Sequence, residues 1–400
     1  MPNAALGGIR VLDLTHHIAG PYCTKLLADF GADVIKIERP DQGDPCRRMG
    51  PFPHDQPHPE KSLLFAYLNT NKRGITLDLK AEAGTRIFHA LLNETDLVVE
   101  NFSPRVMPSL GLDYESLRRR RPGLVMASIS NFGQGGPYRD YKATDIVEYA
   151  LGGMMYIFGS NHREPLKHAL HQAQFKAGTN AATATAIAVY RQQLVGGCEW
   201  IDVSIQESMA AALRDTASLY SYMGATRRRQ PAHTGDIPRS PTEVTDGHVV
   251  PISFGAVDWG TTADFLDEPR LREPRFSTPE GRVANARELD DVLRESFAGR
   301  SKFDTFYEAQ KRRGLIYGVV QTPQDVVESP QYQARDYFVD IEHPAIGTAA
   351  YPGAPFFMSE TPWQARSPAP TLGQHNDEIL GRKLGYSPDE LTRLRAAGVV

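Results

Sequence analysis

The chain has 400 residues, of which 41% are hydrophobic and 23% are charged. These values are ordinary for a globular protein of two or three folding units, and they disfavour collagen-like, coiled-coil and disordered chains. The formal net charge is −4. Proteins that bind nucleic acids usually carry a strong basic excess, so we expect no nucleic-acid partner.

The three cysteines, Cys23, Cys46 and Cys198, lie far apart and form no CxxC pair. This spacing disfavours a disulfide framework and a zinc–thiolate site, and it fits a reducing compartment. The sequence contains no run of about 18 apolar residues, and the N terminus leads almost directly into a strand-like segment. We therefore expect a cytoplasmic protein with no membrane contact.

Short apolar strands alternate with helical segments over the first 130 residues. The predicted strands cover 9–14, 33–38, 75–79, 97–100 and 124–129. The predicted helices cover 21–30, 81–93 and a segment from 114. Strands that alternate with helices form right-handed βαβ units and a parallel sheet. The fold class is therefore α/β, with a Rossmann-like large domain.

Further elements follow in the second half of the chain. The pattern predicts an Ala- and Thr-rich helix at 178–194, a strand at 200–205, a helix at 206–222 and a last helix at 388–396. The small residues of the first of these helices allow it to pack closely against another backbone.

The composition changes near Thr226, where a stretch rich in Arg and Pro begins. The TDGH segment from Thr245 then carries an Asp-Gly turn, which predicts a β-hairpin. We place a smaller α+β domain at 226–325.

The joint between the first strand and the first helix reads THHIAGP, from Thr15 to Pro21. A dinucleotide-binding joint would read GxGxxG, because the glycines allow the backbone to approach the pyrophosphate. An NAD-dependent dehydrogenase is therefore disfavoured.

Seven segments taken in order carry a resemblance to a known family. They are VLDLTHHIAGP from Val11, VIKIERP from Val34, NTNKRGITLDLK from Asn69, VENF from Val99, NFGQGGP from Asn131, IDVSIQE from Ile201 and SPAPTLGQHN from Ser367. Together they resemble the class III CoA-transferases, the CaiB/BaiF family, which includes formyl-CoA transferases, benzylsuccinate CoA-transferases and acyl-CoA racemases. The resemblance spans the chain from about residue 7 to 400.

The resemblance implies an interlocked ring dimer, either a homodimer or a heterodimer, in which each chain threads the other. It also implies a large domain built from both chain ends, namely 1–225 and a linker and C-terminal part at 326–400. CoA or acyl-CoA would be bound mainly by this large domain as a substrate, together with a carboxylic acid, and no metal is expected.

CoA carries a 3′-phosphate and a pyrophosphate, which need cations and N–H donors. Arg39 follows the second strand, where a ligand crevice opens, and its guanidinium suits a phosphate or a purine ring. The resemblance assigns further CoA contacts to His16, Ile18, Ala19, Leu77, Asp78, Leu79, Lys80, Asn101, Phe102, Ser103, Lys142, Ala143, Thr144 and Asp145.

One expected CoA contact is missing, because Ser109 stands where family members often carry an Arg. Arg105, at the position of a family Gly, is a candidate to replace that charge. The alternative is that CoA is held less tightly.

The family's catalytic residue is also missing. In the transferases an Asp carboxylate, four residues before a Gly, attacks the acyl-CoA thioester and gives a mixed anhydride and CoA thiolate. Here Gln174 stands four residues before Gly178, and a neutral carboxamide is a poor nucleophile. The racemase branch uses the same Asp with a His that corresponds to Thr144, so its base pair is absent too.

Replacement carboxylates are Asp145, which is more simply a polar lining residue, and Glu148. Gln174 itself could donate a hydrogen bond to a thioester carbonyl. A metal site built from His162, His168 and His171 is disfavoured, because no matched carboxylate lies nearby.

The sequence therefore predicts a CoA-transferase of this family that moves CoA between carboxylic acids. The expected form is the subunit without the catalytic Asp in a heteromeric enzyme for an aromatic or dicarboxylic acid. Two alternatives remain open, an acyl-CoA isomerase, dehydratase or lyase of altered mechanism, and a non-catalytic protein that binds CoA thioesters.

Overall fold

The computed structural model describes residues 4–229, 241–252 and 259–400. The chain divides into two compact units. The first consists of Met1–Tyr156, Leu166–Arg227 and Asp336–Val400, and the second consists of Ile157–Pro165 and Arg228–Arg335. Both ends of the chain therefore belong to the first unit.

The first unit contains a six-stranded sheet in which every neighbouring pair is parallel. Its strands are β1 (Arg10–Asp13), β2 (Asp33–Glu38), β3 (Arg73–Thr76), β4 (Leu97–Glu100), β5 (Val125–Ser130) and β6 (Glu199–Ser204). Their spatial order is β3-β2-β1-β4-β5-β6. The predicted α/β fold with a parallel sheet is confirmed.

Helices pack on both faces of this sheet. The helices up to residue 223 are α1 (Ala19–Asp29), α2 (Leu63–Leu68), α3 (Glu82–Leu92), α4 (Val106–Ser109), α5 (Tyr114–Arg120), α6 (Asp145–Leu151), α7 (Met154–Ile157), α8 (Gln172–Val195), α9 (Ile205–Ala210) and α10 (Asp215–Met223). One core forms between the sheet and the pair α1 and α8, and a second forms between the opposite face and α3, α5 and the C terminus.

Three predicted elements differ from the structure. The third strand, β3, begins two residues before its predicted start. It ends at Thr76, which pairs with Glu38, the last residue of β2. Helix α8 begins six residues earlier than predicted, so Gln174 lies in its first turn. The single helix predicted at 206–222 is interrupted, because Arg214 has a φ of 45°.

Helices α1 and α8 approach closely at one glycine. A Cβ atom on Gly178 would lie only 2.6 Å from the carbonyl oxygen of Ala19, a distance that would force the two helices apart. The Ala-rich composition of α8 serves the same close packing, since Ala173, Ala177 and Ala181 are fully buried.

The C-terminal segment returns to the sheet edge at β3. It contains a hairpin of β10 (Phe338–His343) and β11 (Gly347–Pro352), a π-helical segment (Asp377–Lys383) and α18 (Pro388–Ala396). The N–H of Gly74 donates to His375 Nδ1 (3.0 Å), and that of Thr76 donates to Asn376 Oδ1 (2.9 Å). These bonds tie the chain end to the edge strand. The hairpin was not predicted, whereas α18 matches its predicted range.

The second unit contains an antiparallel sheet of β7 (Thr242–Val244), β8 (Gly247–Ile252) and β9 (Ile316–Val319). The hairpin predicted at the Asp-Gly turn is confirmed by the pairing of β7 with β8. Much of the Pro-rich stretch, residues 230–240, lies outside the described residues. The helices are α11 (Trp259–Leu266), α12 (Pro274–Ser277), α13 (Pro279–Ala284), α14 (Ala286–Ala298), α15 (Lys302–Gln310), α16 (Pro323–Val327) and α17 (Pro330–Gln333).

Across the described ranges, no helix combines the length and the apolar character that a bilayer span requires.

Candidate active site

The strand order reverses between β1 and β4, and ligands of open α/β sheets bind outside the carboxyl ends of the strands at such a point, which we call the crevice. The loop after β1 and the turn after β4 hold each other through His16 and Asn101. The N–H of His16 donates to Asn101 Oδ1 (2.8 Å), and Asn101 Nδ2 donates to the carbonyl oxygen of His16 (2.7 Å). The rings of His16 and Phe102 lie 5.1 Å apart. The structure therefore brings together three residues that the sequence assigned to one site.

Buried charges fix the backbone of the loop after β1. Lys36 Nζ donates to the carbonyl oxygen of Thr15 (2.8 Å) and to Asp44 Oδ2 (2.9 Å). Asp44 Oδ1 accepts from the N–H of His17 (2.9 Å), whose φ of 64° is unfavourable for a non-glycine residue. Hydrogen bonds with buried charges thus hold the loop in a strained shape.

Beneath this loop, Lys72 Nζ lies 3.0 Å from Asp13 Oδ2, and both side chains are fully buried. Burial alone would raise the pKa of Asp13, but Lys72 and Lys36 lower it to about 2. The carboxylate therefore stays charged and adds to the fixed frame of the loop.

Exposed cations stand around the crevice. Arg39 follows β2 and Lys80 lies beyond the end of β3, and these strands are neighbours. Among the described residues, neither side chain has an ion-pair partner. Burial, together with His17, Lys36 and Arg39, lowers the pKa of His16 to about 4 against the opposing effect of Asp44. His16 is therefore neutral at pH 7, and the free positive charge lies on Arg39 and Lys80.

The segment after β3 is held by its neighbours. The N–H of Leu77 donates to the carbonyl oxygen of Glu38 (2.8 Å), and that of Asp78 donates to the carbonyl oxygen of Val399 (2.8 Å). Leu79 packs on the core beneath β3, and Asp78 Oδ1 accepts from the N–H of Lys80 (3.0 Å). Of the residues in this segment that were predicted to contact CoA, Leu77 is therefore buried and Lys80 is exposed.

The turn after β4 carries a carboxylate of its own. Glu100 Oε2 accepts from the N–H of Phe102 (2.8 Å), and burial raises the pKa of Glu100 to about 7. Ser103 and Arg105 are exposed. Arg105 is paired with Asp140 through two bonds of 2.9 and 2.6 Å, so the charge that could replace the missing family Arg is already neutralised.

The other predicted contact residues differ in exposure. Ile18 and Ala19 are buried at the start of α1, so their side chains face the core. Lys142 and Thr144 are exposed, and Ala143 is half-buried. Thr144 takes the N-cap position of α6. Arg39, Lys80 and Lys142 are therefore exposed cations of the predicted set that have no ion-pair partner among the described residues.

A second group of polar residues, which we call the α8 cluster, consists of Asp145, Glu148, Lys167 and Gln174. Asp145 Oδ1 accepts from the backbone N–H groups of Ala173 (2.9 Å) and Gln174 (3.3 Å), and its Oδ2 lies 3.0 Å from Lys167 Nζ. Asp145 therefore caps the N terminus of α8. Both oxygens of Asp145 therefore already accept hydrogen bonds that hold the start of α8 and Lys167.

Glu148 lies directly against Gln174. Gln174 Nε2 donates to Glu148 Oε2 (2.8 Å), and Asn131 Nδ2 donates to Glu148 Oε1 (2.9 Å). Burial raises the pKa of Glu148 to about 7, and the nearby charge of Asp145 acts in the same direction. Glu148 is fully buried, so it stands behind Gln174 and not at the surface of the site.

The three histidines near Gln174 occupy different places. His168 Nδ1 is hydrogen-bonded to the hydroxyl of Tyr149, His162 belongs to the other unit, and His171 takes the N-cap position of α8. Within the parts of the chain that the structure describes, no three His, Cys, Asp or Glu side chains form a group that could hold a metal ion.

Two features of the site were not assigned from the sequence. Asn131 was quoted only as part of a motif, yet it holds Glu148 and, through Oδ1, the N–H of Ala143 (3.1 Å). The aromatic side chains of Tyr22, Tyr67 and Phe175 meet beside the α8 cluster. They belong to three different helices, so no local spacing in the sequence could have grouped them.

The fold is that of an α/β protein whose parallel sheet has a switch point between β1 and β4, the place where ligands of open α/β sheets bind. Comparison with known proteins identifies the family. The model described as CoA-transferase family III matches residues 6–376. The chain therefore belongs to this family and is a CoA-transferase, which confirms the resemblance drawn from the motifs.

Its relatives match over nearly their whole length. The succinyl-CoA–D-citramalate CoA-transferase of Chloroflexus aurantiacus is 32% identical, covering 100% of this chain and 99% of that protein. Subunit BbsE of the succinyl-CoA:(R)-benzylsuccinate CoA-transferase of Thauera aromatica is 32% identical, covering 98% and 97%. The crystal structure of a CaiB/BaiF family protein from Brucella suis has a TM-score of 0.86 at 30% identity, covering 95% and 99%.

Proposed function

We propose that this chain is the subunit without a nucleophile in a heteromeric CoA-transferase, and that a second, Asp-bearing chain of the family supplies the catalytic carboxylate. The observation that carries the proposal is that Gln174 stands four residues before Gly178, the spacing at which the motif resemblance expects the Asp of the family. Its carboxamide stays neutral near pH 7, so it lacks the charged oxygen that attacks a thioester.

The neighbouring carboxylates support this assignment. Both oxygens of Asp145 and both oxygens of Glu148 accept hydrogen bonds within the protein. Each side chain is less than a tenth exposed. Neither is placed to replace the missing Asp, so a self-sufficient enzyme of altered mechanism receives less support.

The crevice supports a retained capacity to bind CoA. Arg39, Lys80 and Lys142 supply unpaired positive charge, and the clamp between His16 and Asn101 holds the loop in place before the ligand arrives. Prior ordering of a site reduces the entropy lost on binding. In the proposed complex this chain binds CoA or its thioester and presents it for transfer to a carboxylic acid.

Exposed apolar faces support a partner chain. Ile187, Tyr190 and Leu194 share one face of α8, and each is about two-thirds exposed at 65%, 65% and 64%. On α10, Tyr222 is 89% exposed and Met223 is 73% exposed. Contiguous exposed apolar groups mark interaction surfaces. A homodimer would contain Gln174 at both sites, so we propose a heterodimer, interlocked as in the family.

The acceptor that we propose is an aromatic or dicarboxylic acid. The relatives are named for citramalate and for benzylsuccinate, and both are dicarboxylic acids. BbsE is named as one subunit of its enzyme, which supports a heteromeric arrangement here.

The test is to express the chain alone and together with the homologues encoded beside it, and to assay CoA transfer from succinyl-CoA. We expect background transfer from the chain alone and transfer from the complex with an Asp-bearing homologue. Robust transfer by the chain alone, unchanged in Gln174→Ala, would overturn the proposal. Tight binding of acyl-CoA without turnover in either preparation would instead assign a non-catalytic thioester-binding protein.

Assembly is tested separately by sedimentation at nanomolar concentration. A threaded dimer cannot dissociate without unfolding, so we expect no folded monomer on dilution. A folded monomer under these conditions would contradict the interlocked arrangement.

A further inference from the structure

Three polar side chains form a row across the last three strands of the parallel sheet. Glu100 on β4 pairs in register with Ser128 on β5, and Ser128 pairs with Asp202 on β6. Residues at paired positions of neighbouring strands point to the same face of a sheet, so the three side chains share one face. They lie near the carboxyl ends of the strands, where the turn after β4 and the loop after β5 begin.

Each carboxyl group of this row holds one of these two connections. Glu100 Oε2 accepts from the N–H of Phe102 (2.8 Å), and Asp202 accepts from the N–H of Gln134 through both oxygens (3.0 and 2.9 Å). The same turn after β4 carries Asn101, which clamps the loop after β1. Glu100 therefore helps to hold the turn that forms one half of the clamp.

Glu100 is buried without a cation to balance its charge. It is 3% exposed, and Ser128 Oγ accepts from Trp200 Nε1 (3.0 Å), which leaves the hydroxyl proton of Ser128 for Glu100. Burial and the charge of Asp202 raise the pKa of Glu100 to about 7, against the hydrogen bonds from Ser128 and from the N–H of Phe102. The group therefore passes from neutral to charged between about pH 6 and pH 8.

The neighbouring elements supply no balancing cation among the described residues. On β1, Asp13 pairs in register with Val99, so its side chain lies on the opposite face of the sheet from Glu100. His16 on the loop after β1 is neutral at pH 7, and burial raises the pKa of Tyr114 on α5 to about 12. The charge that acts on Glu100 is therefore that of Asp202, which is also negative.

We propose that Glu100 is a positioning residue for CoA, and that it holds the turn after β4 for the ligand in its neutral form. As a neutral acid it still accepts from the N–H of Phe102 through its carbonyl oxygen. As a carboxylate it adds an unbalanced buried charge under the turn at which we propose that an anionic ligand binds. This inference rests on the proposed function, since it takes the crevice to bind CoA.

Binding of the anion and protonation of Glu100 then favour each other, because such a coupling is reciprocal. The bound chain keeps the proton of Glu100 to a higher pH than the free chain, in which the pKa is about 7. The contribution of Glu100 to CoA affinity is therefore constant well below pH 7 and weakens the affinity as the pH rises above it. We expect about a tenfold effect, which corresponds to a pKa that is higher by about one in the complex.

The test is titration calorimetry of the full-length chain with CoA between pH 6 and pH 9. Glu100→Gln keeps the shape of the side chain and stays neutral. We expect it to match the wild-type affinity at pH 6 and to bind CoA about tenfold more tightly than the wild type at pH 9. Comparing the two proteins at each pH cancels the titration of the CoA phosphates.

A second measurement needs no variant. Calorimetry of the wild-type chain in two buffers of different ionisation enthalpy measures the protons that CoA binding takes up. We expect uptake of about half a proton at pH 7.5. A phosphate that binds to cations releases protons instead, so the sign of the exchange separates Glu100 from the ligand.

Two further variants examine the row itself. Asp202→Asn keeps an acceptor for the N–H of Gln134 and removes the charge beside Glu100, so it should move the fall in CoA affinity to a lower pH. Glu199→Gln removes a carboxylate from the start of the same strand, where Glu199 faces Arg191 at 3.7 Å. This control should leave the pH profile unchanged.

Equal pH profiles of the wild type and Glu100→Gln would overturn the inference, and so would weaker binding by Glu100→Gln at every pH. If the chain binds no CoA at any pH, the inference and the CoA-binding part of the proposed function fail together. If the profiles are as expected while no complex transfers CoA, the proposed function fails and the role of Glu100 stands.

Discussion

The crevice and the α8 cluster use their polar groups in opposite ways. At the crevice, the side chains of Arg39 and Lys80 are exposed and have no ion-pair partner among the described residues. In the α8 cluster, Asp145 and Glu148 are buried, and their oxygens accept bonds from the protein itself. Unpaired groups remain available to a ligand, whereas paired groups stabilise the fold. The cations of the crevice therefore remain available to a ligand, whereas the carboxylates of the α8 cluster hold elements of the fold together.

The largest expected effect comes from returning a nucleophile to the α8 cluster. Gln174→Asp alone would place a second carboxylate beside Glu148, and two neighbouring carboxylates do not both ionise readily. We therefore expect the double change Gln174→Asp with Glu148→Gln to be more active than Gln174→Asp. Loss of a covalent nucleophile commonly costs about 10⁴–10⁶ in rate, and part of this should return.

The measurement is the mass of the protein after incubation with acyl-CoA. A thioester on the introduced Asp adds the mass of CoA, and the wild-type chain should show no such adduct. An adduct on the wild-type chain would mean that a carboxylate of the α8 cluster is reactive, which would break the comparison.

The next largest effect is expected for Asp145, where substitutions test whether this residue stabilises the fold. Asp145→Ala removes the acceptor for two N–H groups of α8 and leaves Lys167 without its carboxylate. We expect the free energy of unfolding to fall by about 3 kcal/mol. Asp145→Asn keeps an oxygen acceptor and should lose about half as much. Chemical denaturation measures both, and unchanged stability combined with lost transfer in the complex would instead make Asp145 catalytic.

Glu148 gives the stability of the protein a particular pH dependence. Its pKa is raised to about 7 in the folded chain from an ordinary value of 4.5. Between these values the folded chain binds more protons than the unfolded chain, so stability falls as the pH rises through this window. The full cost, up to about 3 kcal/mol, is present above pH 7. Glu148→Gln should therefore stabilise the protein at pH 8 and change little at pH 5.

Thermal unfolding at both pH values checks this expectation. Glu100, whose pKa burial also raises to about 7, should keep part of the pH dependence in Glu148→Gln. A variant equally stabilised at pH 5 and pH 8 would show that charge burial is not the cause.

The smallest effect is expected for a substitution at the crevice. Arg39→Ala should weaken CoA binding by about 2 kcal/mol, as for the loss of one charge-assisted contact, with CoA affinity in the micromolar to millimolar range. Calorimetry with CoA and succinyl-CoA measures it, and the stability of the fold should not change. Unchanged affinity would remove Arg39 from the site and weaken the contrast with the α8 cluster.

The sequence was sufficient for the sheet because its strands are short, continuous apolar runs. The predicted bounds of β2 and β4 agree with the structure. The start of α8 was predicted too late, because Asp145, a residue 27 positions before Gln172, caps this helix from α6. Local sequence patterns do not reveal a helix cap that a distant segment of the chain supplies.

The same limit applies to the site. His16 and Asn101 were assigned through motifs, and the structure joins them across 85 residues. By contrast, the sequence treated Glu148 as a possible free carboxylate. Its burial behind Gln174 and its bond from Asn131 depend on how α6, α8 and the loop after β5 meet. The exposure of a carboxylate depends on tertiary packing, which cannot be predicted from the local pattern of a single sequence.

Gly178 acts as a spacer of fixed length between α8 and the start of α1. Because a Cβ atom at this position would meet the carbonyl oxygen of Ala19 at 2.6 Å, backbone contact alone sets the separation of α8 from the start of α1. Residues 174–176 stand one turn before this contact, and His16 stands three residues before Ala19. Side chains at 174–176 can therefore be exchanged for others without moving the helix relative to the loop after β1.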